Sequence, residues 1–213
     1  MHMDDVKKML MDAGAVLEGH FIGTSGRHLH GYMNKDAFLP HPHIVSALSR
    51  MFAELNKDKD IEAVVSPAVA GIPFSQWTAY HLSEMTGKKV LTLFTEKTPE
   101  NGQIFKRSYD KLISGKRVLV VEDTVATGGS VQKVVDAVTA AGGNIVQISI
   151  VVNRDPENVN EQTFGHPLSQ LAVIPMPSFA EDEVPEWLKA MPIRTDVGHG
   201  AKYLKEHPEA MNA

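Results

Sequence analysis

The sequence predicts an α/β fold: a twisted, mostly parallel sheet flanked by helices. Three observations carry that expectation. Short apolar runs alternate with stretches of helical periodicity between residues 61 and 152. The clearest strand candidate, 117–121, carries the unbroken apolar run Val118-Leu119-Val120-Val121 rather than an alternation, as for a strand covered on both faces. Gly87 and Gly142-Gly143 stand where two of the helical stretches stop. Strands joined this way take right-handed crossovers, and ligands gather beyond their carboxyl ends.

Taken in order, residues 4–13 read as a helix closed by Gly14. Residues 15–36, rich in Gly and His, show neither period clearly. Residues 42–55 read as a helix, with Ile44, Val45, Leu48, Met51, Phe52 and Leu55 at helical spacing and Pro42 in the first turn. A strand follows at 61–66, a loop at 67–72, a helix at 73–86 and a strand at 89–95. Residues 96–114 are polar with little periodicity, and a loop of that length inside a domain is usually functional or mobile. After the strand 117–121 comes a helix at 130–141, with Val131, Val134, Val135 and Val138 on one face, then strands at 145–152 and 171–174. Short helices are expected at 185–191 and 200–206. The carboxyl-end rule selects the loops 67–72, 95–114 and 122–130, and the run Asn153-Arg154-Asp155-Pro156.

Composition narrows the function classes. The chain of 213 residues suits one α/β domain with an appendage. Its net charge of −5, with no Lys/Arg block, argues against nucleic acid as the main partner. The absence of cysteine excludes disulfides, thiolate catalysis and Cys-based zinc sites. Met1-His2-Met3-Asp4-Asp5 lacks the basic and apolar regions of a secretory signal, and no apolar run approaches the ~20 residues that span a bilayer. A soluble cytoplasmic protein with no membrane partner is expected.

The informative stretch is Val118-Leu119-Val120-Val121-Glu122-Asp123-Thr124-Val125-Ala126-Thr127-Gly128-Gly129-Ser130. An apolar strand ends in two acids, a loop of small residues follows, and a helix begins at or just after Ser130. A helix N-terminus offers unpaired N–H groups and partial positive charge. Gly128 and Gly129 let a phosphate approach the backbone closely. Thr127 and Ser130 add hydroxyl donors. Glu122 and Asp123 would repel that phosphate unless they hold something that donates hydrogen bonds, such as a ribose diol or metal-bound waters. A sugar phosphate with a free diol satisfies both halves of the loop. Neither a Walker A loop nor Gly-x-Gly-x-x-Gly after a strand is present.

This segment resembles the motif by which type I phosphoribosyltransferases bind phosphoribosyl pyrophosphate (PRPP). The resemblance extends over most of residues 14–155 and is greatest to orotate phosphoribosyltransferases. It implies the type I phosphoribosyltransferase fold with a small N-terminal hood, divided into an N-terminal helix and hood at 1–40, a PRPP-binding core at 41–175 and a C-terminal extension at 176–213. PRPP would be held by Glu122, Asp123, Thr124, Val125, Ala126, Thr127, Gly128, Gly129 and Ser130. The loop Ala68, Val69, Ala70 and Gly71 would face its diphosphate, although the Lys that many orotate enzymes place there is absent. Thr24-Ser25-Gly26-Arg27 with Tyr32-Met33-Asn34 resembles the hood segment, implying base contacts by Ser25, Arg27 and Tyr32 together with Thr127. Met33 stands where an aromatic is common, and Thr24 where some members carry Lys. Arg154 falls where the group has an arginine for the base carboxylate, a pairing that suits a guanidinium fork.

In the family, residues such as 96–114 form a mobile flap, and Lys97, Lys106 and Arg107 are the candidates among its cations here, with Lys97 the first choice because it lies just past the strand end. The flap carries no His, unlike that of orotate enzymes. Lys97, Lys106, Arg107 and Asp123 are the implied catalytic residues. The resemblance also implies Mg²⁺ carried by PRPP, reaching Glu122 or Asp123 through water with no direct protein ligand, and a homodimer. Two alternatives stay open: a purine enzyme of the adenine type, and a non-catalytic sensor of PRPP or nucleotide on the same fold. His28/His30 and His41/His43 have chelating spacing, but no carboxylate partner is evident, so pocket or surface roles are preferred to a metal. Phe74 and Trp77 are expected in the core or an interface, and the acidic, aromatic stretch 179–187 has no readable role.

Overall fold

The computed structural model describes residues 3–23 and 25–208, so Thr24 of the hood segment lies outside the described residues. In chain order the elements are α1 (Met3–Asp12), β1 (Val16–Ile22), β2 (His28–Met33), α2 (Pro42–Asn56), β3 (Ala63–Pro67), α3 (Gly71–Thr86), β4 (Leu91–Lys97), β5 (Gln103–Ile104), α4 (Tyr109–Ile113), β6 (Arg117–Val125), α5 (Gly129–Ala140), β7 (Asn144–Asn153), α6 (Glu161–Phe164), β8 (Leu168–Val173), β9 (Ser178–Phe179), α7 (Glu186–Lys189) and α8 (Gly200–Glu206). The chain divides into two compact units. Of the described residues, one holds 3–7 and 39–174, the other 8–38 and 175–208.

The first unit is built on a six-stranded sheet in the order β5-β4-β3-β6-β7-β8. All neighbours are parallel except the β4/β5 pair. The crossover through α3 carries the chain from β3 outward to β4, and the crossover through α5 carries it from β6 the opposite way to β7. Right-handed crossovers running in opposite directions place their helices on opposite faces of the sheet. The strand order reverses between β3 and β6, the switch point at which such sheets bind ligands. The expected valine face of α5 is the buried one: Val131, Val134, Val135 and Val138 pack on Val118, Val120, Ile148 and Ile150 of the sheet. Burying each such side chain is worth roughly 1.5–3 kcal/mol.

Two stretches differ from expectation. Residues 96–114 are not an irregular loop. β4 runs on to Lys97, turns through Asn101 (φ 61°), returns as the two-residue β5, and leads into α4. Strands and helices this short carry no readable period. Phe105 and Tyr109 of this stretch pack against the core cluster. β6 also continues to Val125, so the two acids lie within the strand rather than beyond it.

In the second unit, β1, β2 and β9 form an antiparallel sheet in the order β1-β2-β9. The segment 15–36 was unreadable because the β1/β2 register shifts between Glu18 and Phe21, with Gly19 at φ 142°. The bulge buries four successive residues, Gly19 to Ile22, and erases the alternation of a half-buried strand.

Candidate active site

β3 and β6 pair only as far as Val65 and Val120, whereas β6 and β7 stay paired to Val125 and Asn153. Beyond Val120, β6 therefore loses its β3 neighbour, and the loops after β3 and β6 flank the crevice that opens. Glu122 and Asp123 lie at this point, 6% and 3% exposed. The Asp123 N–H donates to Glu122 Oε1 at 3.0 Å, and the Thr124 N–H donates to Asp123 Oδ1. Buried carboxylates need such donors, since an unpaired buried charge is costly. The Thr124 hydroxyl is buried and has no hydrogen-bond partner among the described residues.

The loop after β6 is where the sequence leads one to expect an anion site. Gly128 caps α5 at φ 78°, and a Cβ there would come within 3.1 Å of the Phe164 ring, so both conformation and space require glycine. Thr127, Gly129 and Ser130 are exposed, Gly128 is buried, and Ala126 is intermediate. The Gln132 N–H donates to the Gly128 carbonyl at 2.9 Å, which starts the helical ladder. The N–H groups before it have no helical acceptor and face the loop end. The helix begins at Gly129, one residue earlier than the sequence suggests.

On the other side of the crevice, the Ala68 N–H donates to the Thr95 carbonyl at 2.8 Å, tying the loop after β3 to β4. Val69 is 81% exposed, Ala68 and Ala70 are intermediate, and the Ala68–Val69 peptide is cis. α3 begins at Gly71 rather than Pro73. A Cβ at Gly71 would sit 2.8 Å from the Ser66 Cβ, so the helix start is pressed against the strand end.

Arg154 follows directly. Its N–H donates to the Val125 carbonyl at 2.8 Å, joining the end of β7 to the end of β6. Asn153, wholly buried, braces this turn: its side-chain amide donates to Val159 O (2.9 Å) and Gln170 Oε1 (2.8 Å), and its Oδ1 accepts the Asp155 N–H. The flap cations lie in the same unit. Lys97 is exposed at the end of β4. Lys106 and Arg107 both pair with Glu96, at 3.2 Å for Lys106. Glu96 and Phe164 escaped the sequence reading, since an ion pair across a hairpin and a ring beneath a glycine leave no local pattern.

Ser25, Arg27 and Tyr32 belong to the second unit. Ser25 is exposed. The Arg27 guanidinium donates to Ser178 Oγ (3.0 Å) and Ser178 O (2.7 Å), fastening β9 to β2, and Tyr32 packs on Phe21. His28 pairs instead with His20, ring nitrogens 2.6 Å apart, and His30 meets Trp187 edge to face. Among the described residues no group of three or more His, Asp or Glu is placed to hold a metal.

The phosphoribosyl transferase domain family matches residues 34–164. The orotate phosphoribosyltransferase of Bartonella henselae is 36% identical over 90% of this chain and 95% of its own length. That of Thermotoga maritima is 32% identical over 92% of this chain and its whole length. Among solved structures, Mycobacterium tuberculosis orotate phosphoribosyltransferase superposes with a TM-score of 0.65 at 22% identity, covering 81% of this chain and 96% of that one. An adenine phosphoribosyltransferase from Thermoanaerobacter pseudethanolicus superposes with a TM-score of 0.56 at 18% identity, covering 68% of this chain and 88% of that one. The fold is thus shared by proteins named for different bases, while both of these sequence relatives, matched over 95% or more of their own length, are orotate phosphoribosyltransferases. With the motif, the switch-point crevice and these relatives in agreement, the chain belongs to the phosphoribosyltransferase family, in the group of the orotate phosphoribosyltransferases.

Proposed function

We propose that this enzyme transfers the 5-phosphoribosyl group of PRPP to orotate, giving orotidine 5′-phosphate and pyrophosphate. One observation supports the reading: two loops that run into helix N-termini flank the split between β3 and β6, with Glu122 and Asp123 buried beside it and Arg154 on the adjoining strand end. The amides and hydroxyls of Ala126, Thr127, Gly128, Gly129 and Ser130 take the 5′-phosphate. Glu122 and Asp123 accept from the ribose hydroxyls, with Thr124 and Val125 forming the strand that fixes them. Ala68, Val69, Ala70 and Gly71 turn backbone groups toward the diphosphate, and Arg154 pairs with the base carboxylate.

A base nitrogen attacks C1 as the C1–O bond breaks and pyrophosphate departs. Lys97, Lys106 and Arg107 offset the charge that accumulates on the leaving group. Positioning and charge stabilisation supply the rate, because little proton transfer is required. Two carboxylates that already accept backbone N–H groups, with no third ligand, fit a metal brought in by the substrate better than a resident ion. Bound Mg²⁺ would neutralise the diphosphate, with Glu122 or Asp123 reached through water. A cytoplasmic homodimer belongs to the same proposal. Among the described residues no helix is long and apolar enough to cross a membrane.

Pyrophosphate release from Mg–PRPP, measured with orotate, uracil, adenine, guanine, hypoxanthine and xanthine, tests the reading. Orotate is expected to turn over fastest. Arg154→Ala should lower kcat/KM for orotate about 10-fold or more, the scale of a charge-assisted hydrogen bond. Adenine turnover without orotate turnover moves the assignment to the purine enzymes. PRPP binding without pyrophosphate release from any base points to the sensor.

A further inference from the structure

Glu96 stands on β4, opposite Ile104 of β5 and next to Lys97. Its two carboxylate oxygens are divided between two cations: Oε2 takes Lys106 Nζ at 3.2 Å and Oε1 takes Arg107 Nη1. The Arg107 guanidinium also lies 5.4 Å from the centre of the Phe94 ring. Phe94 meets Tyr109 edge to face, and Tyr109 packs on the core. Two of the flap cations are therefore fastened to one carboxylate on a frame tied to the core. The backbone at this point is constrained: Arg107 and Ser108 adopt φ of 59° and 60°, a left-handed region that residues with side chains enter only when their surroundings impose it. Lys97, one residue away, is exposed and makes no ion pair among the described residues.

From this geometry we infer that Glu96 is a positioning residue: it holds Lys106 and Arg107 in reserve, and the diphosphate of PRPP must take them from it. The inference rests on the phosphoribosyl-transfer reading and adds how the flap is engaged. A carboxylate carries one negative charge, whereas a diphosphate carries several and offers the planar fork of an arginine a second acceptor at each phosphate. The diphosphate thus wins the exchange, but with its affinity reduced by what the two ion pairs contribute. When pyrophosphate is the product, the same competition helps it leave. Lys97, outside the arrangement, is available from the first encounter.

Glu96→Gln keeps the side chain's size and removes the competing charge. Isothermal titration of pyrophosphate should show affinity raised on the order of five-fold, the scale of two partly exposed ion pairs. The KM for PRPP should fall in the same proportion while kcat does not rise. Without substrate, trypsin should cut after Lys106 and Arg107 faster in Glu96→Gln than in the wild type. Glu96→Asp, which keeps the charge, should return the affinity toward the wild-type value. Unchanged pyrophosphate affinity in a folded Glu96→Gln protein, or a lower kcat with KM unchanged, overturns the inference. Absence of turnover with every base in the wild type strikes the enzymatic reading instead, because affinity and proteolysis report on Glu96 without catalysis.

Discussion

Gly71 shows how tightly one position is drawn. With 2.8 Å between its missing Cβ and that of Ser66, and with Pro67 Cδ at 3.3 Å, Gly71→Ala must push the start of α3 away from Ser66 and Pro67. Overpacking of this kind costs about 1–3 kcal/mol, so the variant should unfold at correspondingly lower denaturant concentration at unchanged m-value. Asp123→Asn keeps the shape of a buried side chain, and an amide oxygen can still accept the Thr124 N–H, but the charge proposed to hold the diol is gone. The kcat/KM for PRPP should fall at least ~10-fold whichever base is offered, and normal kinetics would remove the diol role. Residues whose chemistry is spelled in a row, such as Glu122, Asp123 and Gly128, were legible without a structure. Glu96 and Phe164 were not, because each matters through a partner more than nine positions away.

At the scale of elements, buried parallel strands and the helices between them announced themselves through apolar runs and a regular period, to within a few residues at each end. Strands that are interrupted, and elements that are very short, did not. The β1/β2 hairpin hid behind its bulge, and β5, α4, α6 and β9 are too short for any periodicity. The hairpin also holds a pair of titratable rings. His20 and His28 are 3% and 5% exposed, and His20 Nδ1 faces the Met191 carbonyl at 3.1 Å. Burial holds both pKa values below the ordinary 6.5; for His28 the neighbouring His20 and His207 act in the same direction and Glu181 opposes them. Below 6.5 the unfolded chain therefore binds protons that the folded chain resists. The stability linked to this pair is fully present above about pH 6.5 and is lost as pH falls through the folded values. The Tm should drop between pH 7.5 and 5.5, and His28→Gln should make that dependence shallower. An equal slope in variant and wild type would show that the pair does not report on folding. His81, also held down by burial, leaves a residual slope in both.

On the scale of the whole molecule, the order β5-β4-β3-β6-β7-β8 puts a switch point between β3 and β6, where sheets of this kind take their ligands. The fold by itself does not fix the chemistry, and orotate and adenine phosphoribosyltransferases both superpose on this chain. The join between β6 and β7 bears on the proposed choice of base. Val125 faces Asn153 in register, and the next amide along closes the seam. Neighbouring strands in a sheet lie ~4.8 Å apart, so under the proposed function the sheet sets the spacing between the carboxylates that take the sugar and the arginine that takes the base. On that proposal a change of side chain at Arg154 alters the choice of base and leaves the sugar contacts where they were, so that one socket accepts a new plug without being rewired.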